Sequence, residues 1–305
     1  MAVDLQRQED KRQAWLGVIL VAGAAIAWSY GGVIQRFITE PDIWTVVFWR
    51  CLFAGLFLFA FMLLRDGMEG TVGLFRAMGW PGFFVAVGFA TVSTCFVLAV
   101  SKTTVASVVL FMAAIPLFAA LFARIFIGEL IGLLTWAAIA AVGIGVTIMV
   151  SASLGEGGSL GGLILAAAIP VVFGGMIVLT RRYPHIRMTP AASAGSFLAA
   201  IVAASQVGSF AVAAQDMLLL FAYGGLNLGL GMALYVTGAR FIPSALAGLL
   251  GTLEMILAPL WVAILFQEIP SRQTILGGSI VFAALLVYLL HHFLEERRLR
   301  RASPL

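Results

Sequence analysis

Two ionisable side chains stand alone inside long apolar stretches of this sequence: Glu254, in GTLEMILAPLW, and Arg50, in TVVFWRCLFAG. A charged group at the centre of a bilayer costs about 2.5–3.5 kcal/mol on insertion scales and as a rule faces a cavity or a partner. Glu254 has no lysine or arginine within four positions and falls about eleven residues into its apolar run, near mid-bilayer at about 1.5 Å per residue. Its chemistry would be proton coupling or cation binding in a central cavity. The alternative is a structural glutamate bonded to a neighbouring helix near Asn227. Arg50 lies about seven residues into its run. It would attract an anionic substrate group or pair with Glu254, or else serve as a snorkelling strut between helices.

A second set is aromatic and polar. Trp28, Ser29 and Tyr30 precede Gly31 and Gly32. Tyr223, Asn227 and Tyr235 are spaced by four and eight residues, which puts them on one helix face. Phe96 and Phe173 are their counterparts in the other half of the chain, as the alignment below sets out. An aromatic cavity holding one carboxylate suits an amine or a zwitterion through cation–π contact. Ordinary packing explains any one of these rings equally well. Glu129 and Glu268 close apolar runs, where helix capping is the expected role and gating the alternative.

These residues must be positioned by membrane helices. Of 305 residues, 62% are hydrophobic and 10% charged, against about 45–50% and 25% in soluble domains. A soluble enzyme, a nucleic-acid binder and a disordered chain are excluded on that ground. Ten runs of about 20 apolar residues are legible: 15–34, 43–64, 80–100, 105–127, 130–150, 160–180, 190–213, 217–239, 244–266 and 274–293. They lack the alternation of a membrane barrel. Trp15, Trp44 and Trp80 are placed as interface anchors. Cys51 and Cys95 lie in apolar runs, so no disulfide framework or CxxC metal pattern is expected, and His185, His291 and His292 form no metal motif.

Lysine and arginine set the orientation. With the N-terminus inside, fourteen lie in cytoplasmic segments and three (Arg36, Lys102, Arg272) on the other side. Both termini are therefore expected in the cytoplasm, and the net charge of +4 is a topology signal. The first run lacks a cleavage site and reads as a retained span.

The chain also repeats itself. Glu129 aligns with Glu268, and at the same offset Ala106 meets Ala245, Leu110 meets Leu249, Ile125 meets Ile264 and Phe96 meets Tyr235. A slightly larger offset aligns Gly17 with Gly162, Leu20 with Leu165, Trp28 with Phe173 and Arg36 with Arg181. The Gly/Ser-rich segment SASLGEGGSLGG joins the halves. The expected fold is an all-α membrane protein of ten transmembrane helices in two five-helix repeats, residues 1–150 and 151–305. An odd number of spans per half requires the second to insert inverted, the architecture of secondary transporters. Gly225 with Gly229, and Gly143 with Gly145, are expected as close-packing surfaces, and Pro116, Pro170 and Pro259 as bends within helices.

The sequence resembles the drug/metabolite transporter superfamily, in particular its ten-helix EamA type. The resemblance rests on Pro116 to Glu129 ending in IGE, on the second copy from Glu254 to Glu268, and on Phe48-Trp49-Arg50. The second copy departs from the pattern at Met255 and Gln267. The resemblance implies transport of small organic molecules and names none.

The expected function is secondary active transport of a cationic or zwitterionic, amine- or amino-acid-like metabolite across the cytoplasmic (inner) membrane, with proton coupling. The alternatives are an organic anion held by Arg50, and a non-transport scaffold. No cofactor and no metal are implied. The expected partners are the substrate, a proton, membrane lipid and, as one option, a second copy in a homodimer. Nucleic acid is not among them. An intramembrane enzyme is disfavoured because the five aspartates (Asp4, Asp10, Asp42, Asp66, Asp216) lie at or beyond span ends. No GxxxxGK[ST] loop points to ATP, and no filter or charged ring points to a channel.

Overall fold

A computed structural model describes residues 2–128, 132–155, 159–242, 244–267 and 271–302. Among these residues every regular element is helical. In chain order they are α1 (Ala2–Ser29), α2 (Gly31–Phe37), α3 (Ile43–Ala77), α4 (Gly79–Lys102), α5 (Val105–Met112), α6 (Ile115–Ile127), α7 (Leu133–Gly155), α8 (Leu160–Arg182), α9 (Thr189–Ala204), α10 (Ala214–Phe221), a π-helical segment (Ala222–Leu230), α11 (Gly231–Gly238), α12 (Ser244–Phe266) and α13 (Arg272–Ala302). Six stretches are long and apolar enough to cross a membrane: Arg12–Phe37, Ile43–Ala77, Gly79–Lys102, Val105–Ile127, Leu160–Arg182 and Ala214–Gly238. Four shorter apolar helical stretches fall where the other runs were read: Leu133–Ile148, Thr189–Ala204, Leu253–Phe266 and Arg272–Tyr288. Leu64, Leu133, Ile164, Ile201 and Leu218 are exposed on the outer faces, as lipid-facing side chains should be. Trp15 and Trp80 are also exposed, while Trp44 is half-buried against the core of α3.

Packing follows a definite pattern. α3 lies along α9 and along the π-helical segment, and α4 lies along α8 and α9. α1 lies along α11 and α12, α6 along α8, and α7 along α13. One core cluster joins Val33, Ala99, Val105, Val109, Leu163 and Ala258 across α2, α4, α5, α8 and α12. Another joins Val47, Cys51, Val97, Ala199, Leu220 and Tyr223 across α3, α4, α9, α10 and the π-helical segment.

Three runs expected as continuous spans are interrupted. The first breaks at Tyr30, between α1 and α2. The fourth breaks between Met112 and Ile115. Pro116 therefore sits in the first turn of α6 rather than inside a helix, where its missing N–H goes unused. Pro170 and Pro259 do lie inside α8 and α12. The eighth run winds as a π-helix through AYGGLNLGL. Its glycines also pack differently from the expected GxxxG face. A Cβ on Gly224 would collide with the Arg50 carbonyl oxygen, and one on Gly229 would sit 2.8 Å from Phe57 Cβ. The atoms nearest a Cβ on Gly225 belong to Phe221, at the end of the adjoining α10, from 3.4 Å outward. The wide π turn, with its i→i+5 hydrogen bonds, brings residues five apart to the surface of α3. Gly145 packs on Gly277 and Val281 as a small-residue contact, whereas Gly143 has nothing within 4 Å.

α3 is tied to neighbouring segments by polar contacts at its start and at an internal kink. At its start, Asp42 accepts from the Trp44 N–H at 3.0 Å, from the Thr45 hydroxyl at 2.9 Å and from the Gly208 N–H at 3.2 Å. Nearby, the buried Asp216 accepts from the Thr39 N–H at 3.1 Å and its hydroxyl at 2.8 Å. At the kink, Asp66 accepts two bonds from Arg187, at 2.8 and 3.1 Å. The backbone then turns at Gly67, whose φ of 69° only glycine adopts freely.

Candidate functional site

Arg50 is 4% exposed, although its position on α3 left open an interfacial, snorkelling role. Close approach of the π-helical segment at Gly224 covers it. Its Nη1 donates to Ser93 Oγ of α4 at 2.8 Å and to the Ser93 carbonyl oxygen at 3.5 Å. Its Cζ lies 4.3 Å from the centroid of the Tyr223 ring and 5.5 Å from that of Phe96. Pairing with Glu254, one of the alternatives for Arg50, does not occur, and among the described residues no carboxylate forms an ion pair with it. Electron-rich ring faces and a serine stand in for the counter-ion.

Tyr223 is fully buried. Its hydroxyl donates to Gln35 Oε1 at 2.6 Å, and Gln35 Nε2 in turn donates to the Val97 carbonyl oxygen at 3.0 Å. This chain of contacts ties α2, α3, α4 and the π-helical segment together.

Next to this group lies the break in the first span. Asn227 Nδ2 donates to the carbonyl oxygens of Ala27 at 2.6 Å and Trp28 at 3.1 Å, acceptors left over where α1 ends. A Cβ on Gly31 would stand 3.3 Å from Asn227 Oδ1 and 3.5 Å from the Tyr223 ring, so Tyr223 and Asn227 do share a side. Asn227 serves the backbone of α1, not Glu254. Trp28 and Tyr235 have ring centroids 5.5 Å apart, and Trp28 Nε1 is buried with no acceptor. Ser29 donates to the Ile26 carbonyl oxygen at 2.7 Å and accepts from Trp261 Nε1 at 3.1 Å. Tyr30 stacks on Trp261 with centroids 5.5 Å apart.

Glu254 sits at the middle of α12, half-buried. It is one turn before Ala258 and two before Val262, both buried, and about two turns after the buried Ala247. It makes no hydrogen bond or ion pair among the described residues. Phe173 stands apart from the Arg50 group and packs edge-on against Phe89, with centroids 6.0 Å apart. Glu129 and Glu268 lie outside the described residues.

The structure thus brings Arg50, Phe96 and Tyr223 into one group, and Trp28, Asn227 and Tyr235 into a second beside it. Ser29 and Tyr30 join α12 through Trp261. Three contributors escaped the sequence reading: Ser93, Gln35 and Trp261. Ser93 had a signal, since it lies in TVSTCF, a polar stretch within an apolar span. Gln35 was hidden beside the charged Arg36, and Trp261 by its resemblance to an interface anchor. A separate cavity of about 220 Å³, lined by Phe111, Leu117, Phe118, Val142, Ala167 and Pro170 among others, is apolar and includes none of the expected site residues.

Comparison with known proteins supports the fold. One crystal structure superposes with a TM-score of 0.65, covering 92% of this chain and 98% of that chain at 19% sequence identity. No curated protein sequence matches the chain. Residues 15–151 match the model of the EamA-like transporter family. Over this segment the chain is similar to the EamA-like transporters of the drug/metabolite transporter superfamily, and among the described residues every regular element is helical, with six stretches long and apolar enough to cross a membrane.

Proposed function

We propose that the protein is a secondary active transporter that moves a small organic metabolite across the cytoplasmic membrane by alternating access, with a proton as coupling ion and both termini in the cytoplasm. The observation that carries this reading is the pattern of helix contacts. If the ten apolar stretches are numbered as spans, exchanging each with the one five further on maps the main contacts onto one another. The packing of α4 on α8 corresponds to that of α11 on α1, α6 on α8 to α12 on α1, and α4 on α9 to the π-helical segment on α3. The pairs α3 with α9 and α7 with α13 map onto themselves. Two units, 1–150 and 151–305, related in this way would have two equivalent packings, one open to each side. The interrupted first, fourth and eighth spans also favour transport, since irregular backbone at membrane depth is found where it lines a pathway. The Lys/Arg bias supports the orientation.

In this reading the substrate passes the cluster around Trp28, Ser29, Tyr30, Phe96, Tyr223, Asn227 and Tyr235. Glu254 carries the proton or the substrate's cationic group. Phe173 lines the neighbouring helix pair. A carboxyl half-buried at mid-helix with no partner among the described residues can exchange a proton once water reaches it.

The test is flux in proteoliposomes with an imposed proton gradient, using a panel of amines and amino acids. Gradient-driven, saturable movement is expected for wild type, and Glu254→Gln should leave exchange running while removing its response to the gradient. An unchanged gradient response in Glu254→Gln would take that residue out of coupling, and flux that never saturates would replace the transporter with a channel.

A further inference from the structure

The geometry points to Arg50 as the seat of a substrate carboxylate, gripped side-on through Nε and Nη2. This deepens the transport reading and rests on it. Arg50 is 4% exposed, and its guanidinium has two hydrogen-bonding edges. The Nη1 edge is occupied, donating to Ser93 Oγ at 2.8 Å and to the Ser93 carbonyl oxygen at 3.5 Å. The opposite edge, formed by Nε and Nη2, makes no hydrogen bond to an oxygen or nitrogen of the described residues. Nε is buried with no acceptor among the described residues, and Nη2 donates to no oxygen or nitrogen of them, although the neighbouring Cys51 thiol also lies within reach of the guanidinium. Those two N–H groups are parallel and spaced to match the two oxygens of a carboxylate.

The surroundings fit that role better than a structural one. An arginine buried only to brace helices finds a carboxylate or spends its donors on carbonyls, because an unneutralised buried charge is costly. Here the neighbours hold the group in place without cancelling its charge. Ser93 fixes one end, and the Tyr223 and Phe96 faces stabilise the cation while offering no hydrogen-bond acceptor in the plane of the fork. Tyr223 is itself held by Gln35 at 2.6 Å, so the guanidinium plane is set by contacts from α4 and the π-helical segment. A π-helical stretch is frequent at functional positions. In a low-dielectric setting the attraction for an anion is many times its value in water. The substrate class is a small organic acid or zwitterionic amino acid, as opposed to a simple amine.

The experiment uses the full chain, purified in detergent and reconstituted, with matched probes: L-leucine, L-leucinamide and isopentylamine, and succinate beside succinamide. Binding is read by thermal shift and by quenching of tryptophan fluorescence. At least one free acid should bind wild type at least tenfold more tightly than its amide. Arg50→Lys keeps the charge but loses the fork, and should weaken that acid about ten- to a hundredfold, the scale for a lost pair of charge-assisted hydrogen bonds. Amine binding should change by less than about twofold. Ser93→Ala, which frees the guanidinium without removing it, should reduce the acid-to-amide preference measurably, but by less than Arg50→Lys. The proposal is overturned if no acid binds, if acid and amide bind wild type alike, or if Arg50→Lys binds acids as wild type does while its melting curve remains cooperative. A poorly folded Arg50→Lys is replaced by the Ser93→Ala comparison, where an unchanged acid-to-amide preference overturns the proposal. Proteoliposome flux separates the two claims. Acid-selective binding with no saturable flux would remove transport and leave the anion site. Saturable flux of amines untouched by Arg50→Lys would do the reverse.

Discussion

The aromatic ring of Tyr223 lies 4.3 Å from the guanidinium carbon of Arg50 while its hydroxyl donates to Gln35 at 2.6 Å. One residue therefore performs two separable tasks, and substitution can remove them one at a time. Tyr223→Phe keeps the ring face but leaves Gln35 Oε1 without its donor, and should cost about 1–2 kcal/mol. Tyr223→Leu also strips the cation of its π face, and should cost a further ~1–2 kcal/mol. Thermal unfolding in detergent should rank wild type above Tyr223→Phe and that above Tyr223→Leu. Equal loss in both variants would assign the stabilisation to the hydroxyl alone.

Asn227 holds the end of α1 through the carbonyl oxygens of Ala27 and Trp28. Asn227→Leu removes both donors and leaves two partly buried acceptors unpaired, for a loss of about 2–4 kcal/mol. Asn227→Asp sets an acceptor against acceptors and should be at least as harmful. Hydrogen exchange of the amides at Gly31 to Ile34 should quicken in both variants relative to those of α9. Unchanged protection there would show that the helix break is held by something other than this side chain.

The π-helical segment approaches α3 so closely at Gly224 that a methyl group would strike the Arg50 carbonyl oxygen and stand 2.9 Å from Phe53 Cβ. Gly224→Ala should therefore destabilise by about 1–3 kcal/mol, the range for overpacking, and lower the yield of folded protein. Gly143→Ala, with nothing within 4 Å of the added carbon, should be neutral or stabilising by up to about 1 kcal/mol, because alanine is the better helix former. If Gly224→Ala melts with wild type, the close approach is not a constraint on the fold.

At the start of α3, burial works to push the Asp42 carboxyl up. The Trp44 and Gly208 N–H groups, with Thr45, outweigh it and hold the carboxyl below its ordinary value of 3.8. A carboxyl depressed in the folded state stabilises above its unfolded pKa, and the benefit is lost as pH falls through the folded value. The contribution is thus complete at neutral pH and is lost progressively as pH falls from about 4 through the lower folded value. Asp42→Ala should cost about 1–2 kcal/mol at pH 7 as a lost N-cap. Melting temperatures between pH 3 and 7 should show wild type converging on Asp42→Ala in acid. A constant gap across that range would mean that the ionised form is not what caps the helix.

The sequence alone determined the element types and the isolated charges. Runs such as 80–100 and 160–180 have too few polar residues for anything but helices at membrane depth, since each backbone N–H must be satisfied within its own segment. Glu254 and Arg50 stood out for the same reason, as the two ionisable groups well inside the runs. Only the tertiary structure decided what these groups face. Asn227 meets Ala27 across a separation of 200 residues, and Tyr223 meets Gln35 across 188. Spacing placed both on one helix face but could not select partners on another segment. Nor could periodicity reveal the π turn of AYGGLNLGL, which exists because its glycines can press on α3. Helix formation depends on neighbours three and four residues away. A buried guanidinium finds its serine and its rings only when separate helices pack, and that choice is made by shape across the whole bundle.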